Sequence, residues 1–227
     1  MTNNKQIGLT INPDITRSDK GILEKFKEIG TCAISDAMKG FNTMHHSIKP
    51  VYEQTKFAGN AITVRMSSAD NLMLHKAIGL AKEGDIIVVD TCGCVSNSIL
   101  GEMMTISALK NGVSGIVIDG GIRDILELKE MKAPVFARCV TPSLGRKNAP
   151  GEINTPISSG GVAINPGDII VGDANGIVVV KLSMAEDILG LAEEKVEQDK
   201  KWYEDIQKGV TIRSDIEEDL RNNGIVI

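Results

Sequence analysis

Continuous apolar runs alternate with stretches whose apolar residues recur at helical spacing, a pattern that persists from residue 18 to about residue 140. Residues 18–29 predict a short amphipathic helix and 31–39 a second. Residues 57–66 (FAGNAITVRM) predict a strand with Gly59 at a bend. Residues 71–84 (NLMLHKAIGLAKEG) read as a helix stopped by Gly84, and 85–90 (DIIVVD) as a buried strand. Residues 97–112 (NSILGEMMTISALKNG) predict a helix stopped by Asn111 and Gly112, and 133–140 (APVFARCV) a further strand.

Between these lies GIVIDGGIRDILEL, residues 115–128. Its first four residues predict a strand, Gly120-Gly121 a turn, and Ile122, Ile125, Leu126 and Leu128 a helix. Arg123 and Asp124 then fall in the first helical turn. Aspartate suits that end of a helix dipole, whereas arginine has the wrong sign for it. Residues 141–161 are rich in proline, glycine and serine and read as loop. Short β segments follow around GVAI, DIIVGD and GIVVVK, and a long helix spans about 183–208 with a short tail after it. EGDIIVVD (83–90) echoes PGDIIVGD (166–173), which predicts two similar strands with Asp85 and Asp168 in structural turns. The order of elements predicts an α/β fold, a parallel or mixed sheet covered by helices on at least one side.

A chain of 227 residues can bury a sizeable core as one domain or as two small ones. Its 42% apolar and 24% charged residues are those of a soluble globular protein. A net charge of −5 and 3% aromatic residues argue against nucleic-acid binding, which asks for a basic stripe and stacking rings. No apolar stretch reaches the length of a membrane span, and the first residues lack the basic and apolar regions of a signal peptide, so a cytoplasmic location is the expectation. Cys32, Cys92, Cys94 and Cys139 do not form paired zinc spacings and are expected to be buried, reduced thiols. His45 and His46 are adjacent, and His75 stands alone.

Ligands in α/β folds gather where strands end and helices begin. Two such junctions occur here, CVSNSILGE and DGGIRD, and they share one edge if strands 85–90 and 115–119 are parallel neighbours. The backbone N–H groups of Ser98, Ile99, Leu100 and Gly101 would offer an anion site at a helix start. Arg123 offers a bidentate fork for a carboxylate or an enolate oxygen. Asp124 can take a hard divalent cation, directly or through its waters. Glu102 is a candidate proton carrier or water positioner. Together they would suit a small oxo-acid. The plainer alternative is that Asp124 and Glu102 merely stabilise their helical turns. Asp119 reads as a turn residue, and Arg138, Arg146 and Lys147 as solvated cations that could also face an anion.

These residues carry a family resemblance. NSILGE, then Arg123-Asp124 after twenty intervening residues and Glu127 beyond, together with AISDAM, FAGNAITV, GDIIVVD, GIVIDGGIRD, the Pro-Gly-Asp turn and GDANGIVVV, resemble the RraA-like family over roughly residues 17–209. That family includes 4-hydroxy-4-methyl-2-oxoglutarate aldolases with oxaloacetate decarboxylase activity and regulators of ribonuclease E. The resemblance implies one domain over 1–227, a layered α/β sandwich of the swivelling β/β/α type, and a homotrimer, sometimes a hexamer, with sites near subunit contacts. It implies a magnesium or manganese ion on Asp124, Arg123 stabilising a pyruvate enolate, and the amides of Ser98 to Gly101 holding the pyruvate carboxylate. The aldolases typically have aspartate where this chain has Glu102, and an acid such as Glu197 or Asp199 of a neighbouring subunit is implied to contribute. Regulators that lack the aspartate after the arginine define the alternative: a non-catalytic protein binding a ribonuclease through its surface.

Overall fold

The computed structural model describes residues 8–225. The chain opens with two helices, α1 (Lys20–Ile29) and α2 (Thr31–Ala37), each started by an aspartate. Asp19 accepts the Gly21 amide at the head of α1. Asp173, distant in sequence, accepts the Thr31 amide at 2.8 Å and the Thr31 hydroxyl at 2.7 Å at the head of α2. A short strand β1 (Lys49–Pro50) precedes β2 (Phe57–Met66), α3 (Leu72–Leu80) and β3 (Ile86–Asp90). Then come β4 (Ser98–Leu100), α4 (Glu102–Lys110), β5 (Gly115–Ile122), α5 (Ile125–Glu130) and β6 (Val135–Val140). The remaining strands are β7 (Gly151–Ile153), β8 (Ile157–Ser159), β9 (Val162–Ile164), β10 (Ile169–Asp173) and β11 (Gly176–Val180). Two helices follow, α6 (Ala185–Gln207) and α7 (Ser214–Asn222).

The main sheet is mixed and runs β1-β6-β5-β3-β2-β10-β11, with β4 added on β5 and β7 on β2. Its centre is parallel: β2 with β3, β3 with β5, and β5 with β6. These strands read as unbroken apolar runs because both faces are covered. Alternate residues divide between the two faces. Ile62, Val64, Ile87 and Val89 pack under α3, α4 and α5, meeting Leu74, Ala77, Ala108 and Leu128. Ala61, Ile86 and Val88 face the β8-β9 hairpin through Ile157, Val162 and Ile164. A third cluster joins α1, α2 and the first turns of α6 to β10 and β11, with Phe26 and Ile34 fully buried in it. Burying each such aliphatic or aromatic side chain contributes roughly 1.5–3 kcal/mol. The layers are thus hairpin, sheet and helices.

The two echoed strands flank β2, β3 parallel to it and β10 antiparallel. Their aspartates hold the preceding turns. Asp85 takes the Lys82 amide and both faces of the Arg17 fork, and Asp168 takes the Asn165 amide and the Lys181 ammonium at 2.8 Å.

Several expectations are corrected. Gly120 and Gly121 do not turn the chain; β5 continues through them to Ile122, and α5 begins only at Ile125. The glycines are required because the 91–97 loop crosses directly over the strand: a Cβ on Gly121 would lie 2.7 Å from the Asn97 carbonyl oxygen, and one on Gly120 would lie 2.8 Å from the Thr91 hydroxyl. Ser98 to Leu100 is a short strand rather than the start of a helix. Gly59 lies within a continuous β2, and the 141–161 loop contains β7 and β8. The tail carries a second helix, α7. The cysteines are free but not buried: Cys32 and Cys92 are exposed, and Cys94 and Cys139 half-buried.

Candidate functional site

The parallel pairing of β3 with β5 brings the two strand-to-helix junctions to one edge of the sheet. Strand β4 then lies against the end of β5, Ser98 opposite Gly121 and Leu100 opposite Ile122. The Arg123 amide extends the ladder by donating to the Leu100 carbonyl at 3.0 Å. Beyond it the chain bends at Asp124, which has φ 57° and ψ 43°, the left-handed region that aspartate tolerates better than most residues. Asp124 precedes α5 but makes no side-chain bond to it. Its Oδ2 instead accepts the Glu102 amide, the first of α4, at 2.9 Å. The N-terminal end of α4 is a favourable place for an anion. Arg123 Nε lies 3.5 Å from the same oxygen, an ion pair whose side chains are 43% and 35% exposed.

Gly101 joins these parts. A Cβ there would stand 2.4 Å from Asp124 Oδ2 and 3.1 Å from Arg123 Nε. Its own φ of −148° is ordinary extended backbone, so contact rather than torsion demands glycine. Around it is a pocket of about 170 Å³ lined by Ser98 to Gly101, Met103, Met104, Arg123 and Asp124, with Asn71, His75, Leu144 and Lys147 completing it.

The expected residues therefore meet, though not all in the expected roles. The Ser98 amide donates to the Ser143 carbonyl at 2.8 Å, and Ser98 is buried, so this N–H is not offered to a ligand. The amides left open lie instead at the start of α4. Thr105 is the first residue of α4 to bond back, to the Gly101 carbonyl, and Glu102 donates to Asp124. That leaves the amides of Met103 and Met104 at the pocket without an intrahelical partner. The Glu102 side chain is not part of the pocket lining; its amide holds Asp124.

Arg138 points elsewhere, into an ion pair with Asp119 and a hydrogen bond to Ser47. Asp119 is a buried strand residue rather than a turn residue, and it also accepts the Gly160 amide. Asn71, His75 and Lys147 are the residues that pattern reading did not assemble. Asn71 and His75 lie one turn apart at the head of α3, but Lys147 comes from a distant segment, and no local spacing joins the two. Burial, and then the Lys147 charge, hold the His75 imidazole below its ordinary pKa.

Among the described residues, no three His, Cys, Asp or Glu side chains converge as a metal cage. Among the described residues, Asp124 alone offers a carboxylate to the pocket, and there its Oδ2 is engaged while its Oδ1 has no hydrogen-bond partner. One carboxylate oxygen fits a magnesium-like ion that keeps most of its waters and shares itself with a substrate.

Fold and site together define an α/β protein with a pocket, lined by Arg123, Lys147 and the head of α4, at a doubled strand-to-helix junction. The chain belongs to the RraA-like family (Aldolase/RraA), whose pattern matches residues 31–179. It is 39% identical over 186 residues, 82% of this chain and 89% of the other, to a Halalkalibacterium halodurans protein named "Putative 4-hydroxy-4-methyl-2-oxoglutarate aldolase". Among solved structures it resembles an uncharacterized protein from Pseudomonas syringae pv. tomato, with TM-score 0.79 and 27% identity over 87% of this chain and 93% of that one. It also resembles the RNA-processing inhibitor RraA from Thermus thermophilis, with TM-score 0.60 and 27% identity over 65% of this chain and 89% of that one.

Proposed function

We propose that this chain is a divalent-metal-assisted lyase that cleaves 4-hydroxy-4-methyl-2-oxoglutarate or a related 4-hydroxy-2-oxo acid and decarboxylates oxaloacetate. The observation that carries the reading is the Arg123–Asp124 pair at the mouth of the pocket, packed so closely on Gly101 that no side chain fits between them. The substrate's 1-carboxylate sits on the Met103 and Met104 amides at the start of α4. Arg123, whose guanidinium has no partner among the described residues except Asp124, receives the 2-oxo oxygen and the negative charge that grows there as the bond beyond C3 breaks. Asp124 Oδ1 would hold magnesium or manganese, which when bound supplies Lewis-acid polarisation of the oxo group. Glu102, half-buried at the edge, moves a proton to or from the reacting atoms through an intervening water. Both reactions leave the same pyruvate enolate, so one arrangement serves both.

The pocket is open on a side where Met103 and Leu144, both part of its lining, are 74% and 67% exposed. Apolar side chains so placed support closure by a second copy of the chain, in a homotrimer or hexamer. The likeness to the Thermus RNA-processing inhibitor favours a second reading, a non-catalytic regulator that binds a ribonuclease through its surface. Pyruvate release from oxaloacetate by metal-stripped protein, with and without magnesium or manganese, beside Asp124→Ala, separates the two. The metal-only rate must be subtracted. Metal-dependent turnover lost in the variant supports the lyase; none above the control, with tight ribonuclease binding that survives the substitution, supports the regulator.

A further inference from the structure

Asp70 is 2% exposed and faces no cation among the described residues, yet it carries three backbone amides. Its Oδ1 accepts Leu72 N–H at 2.8 Å, and its Oδ2 accepts Asn148 N–H at 2.7 Å and Ala149 N–H at 2.9 Å. Two further bonds run beside it: Arg146 N–H to the Ala69 carbonyl at 2.6 Å, and Asn71 N–H to the Arg146 carbonyl at 2.9 Å. Ala69 adopts φ 62°, a strained conformation for alanine that the surrounding bonds hold in place. The 146–149 segment is thereby stapled to the head of α3 on both sides of Lys147. The same few residues of α3 carry Asn71 and His75 into the pocket.

Two cations of the lining, Arg123 and Lys147, face a single carboxylate, Asp124. Arg123 is paired with it; Lys147 makes no ion pair among the described residues. We propose that Asp70 is a positioning residue whose clamp holds Lys147 over the pocket as the recognition group for the second carboxylate of a dicarboxylic 2-oxo acid. This rests on the oxo-acid reading above and deepens it by assigning the two carboxylates of such a substrate, one to the α4 amides and the other to Lys147. A long, exposed lysine loses rotamer freedom when it binds, and a stapled backbone lowers that cost by fixing where its stem begins.

The test is calorimetric binding, with magnesium present, of 2-oxoglutarate, which has both carboxylates, and 2-oxobutyrate, which has one. Lys147→Ala should weaken 2-oxoglutarate roughly tenfold and leave 2-oxobutyrate within about twofold. Asp70→Asn sets an amide NH2 against the Asn148 and Ala149 donors and should reproduce that selective loss, with oxaloacetate KM rising and kcat little changed. The double variant should bind 2-oxoglutarate no worse than Lys147→Ala alone, since both act through one contact. If Asp70→Asn fails to fold, Ala149→Pro deletes one amide on Oδ2 and carries the same expectation. Equal weakening of both ligands, multiplying effects in the double variant, or no effect of the clamp variants overturns the proposal. Selective binding loss in a protein without turnover removes the lyase reading and leaves this one standing.

Discussion

The Asp124 carboxylate accepts the backbone N–H of Glu102 at 2.9 Å, so the residue after Arg123 caps a helix that begins 22 positions earlier in the chain. Cap and charge can be separated. Asp124→Asn retains an oxygen for the Glu102 amide and loses the anion; Asp124→Ala loses both. The alanine variant should be about 1 kcal/mol less stable in urea unfolding, and the asparagine variant close to the parent. Both should lose about a hundredfold or more in oxaloacetate turnover. Turnover that follows stability, with asparagine active, would make Asp124 a cap and nothing more.

Arg123 should contribute little to stability and much to turnover. Its ion pair is exposed at 3.5 Å, a class of contact worth about 0–1 kcal/mol. Arg123→Lys keeps the charge but replaces the planar fork with a point charge on a differently placed stem. Melting should shift by no more than about 2 °C, while kcat falls by about a hundredfold. Near-parental kcat in the lysine variant would show that charge alone suffices.

Gly101→Ala is the sharpest geometric test. The added methyl would overlap Asp124 Oδ2 at 2.4 Å and crowd Arg123, while the backbone accepts alanine without strain. Displacing those two side chains should reduce turnover more than tenfold with the secondary structure unchanged by circular dichroism. Unchanged turnover would mean that the pair tolerates displacement, and that its packing is incidental.

How much of this was legible in the sequence depends on how local the cause is. The strands β3 and β5 and the helix between them follow from apolar runs and spacing, and their parallel pairing from the crossover connection. Arg123 and Asp124 were recognisable as a junction. The glycines before them were misread because their reason lies elsewhere, in the 91–97 loop pressing on β5. Ser98 to Leu100 looks helical by composition, yet pairing with β5 overrides that preference. The caps of α4 and α2 come from Asp124 and Asp173, outside the sequence window in which a cap is sought. His75 and Lys147 share a pocket because residues 69–71 are hydrogen-bonded to residues 146–149, contacts that no periodicity announces.

The acid side of the stability profile should depend on Asp173. Burial works to raise its carboxyl, but hydrogen bonds from Thr31 and Asn175 outweigh this and hold it below the ordinary carboxylate value. A carboxyl lowered in the folded state stabilises the fold above its unfolded value of about 3.9 and loses that contribution as pH falls through the folded value. Asp173→Asn should therefore be less stable than the parent at pH 7, and the gap should narrow as unfolding is repeated from pH 5 down to pH 3. A gap independent of pH would assign the loss to packing instead of charge.

Metal removal should separate activity from folding. Where several side chains cage an ion, its binding free energy is folding free energy, and chelation lowers the melting temperature. Here Asp124 is the one carboxylate lining the pocket, and no three-residue cage exists among the described residues. An ion held mainly by water and substrate binds weakly to the free protein, and mass action then gives it little hold on the folding equilibrium. Chelator should abolish oxaloacetate turnover while moving the melting temperature by less than about 2 °C, and millimolar magnesium or manganese should restore the rate. A large loss of melting temperature on chelation would place a tight site elsewhere in the chain or between its copies.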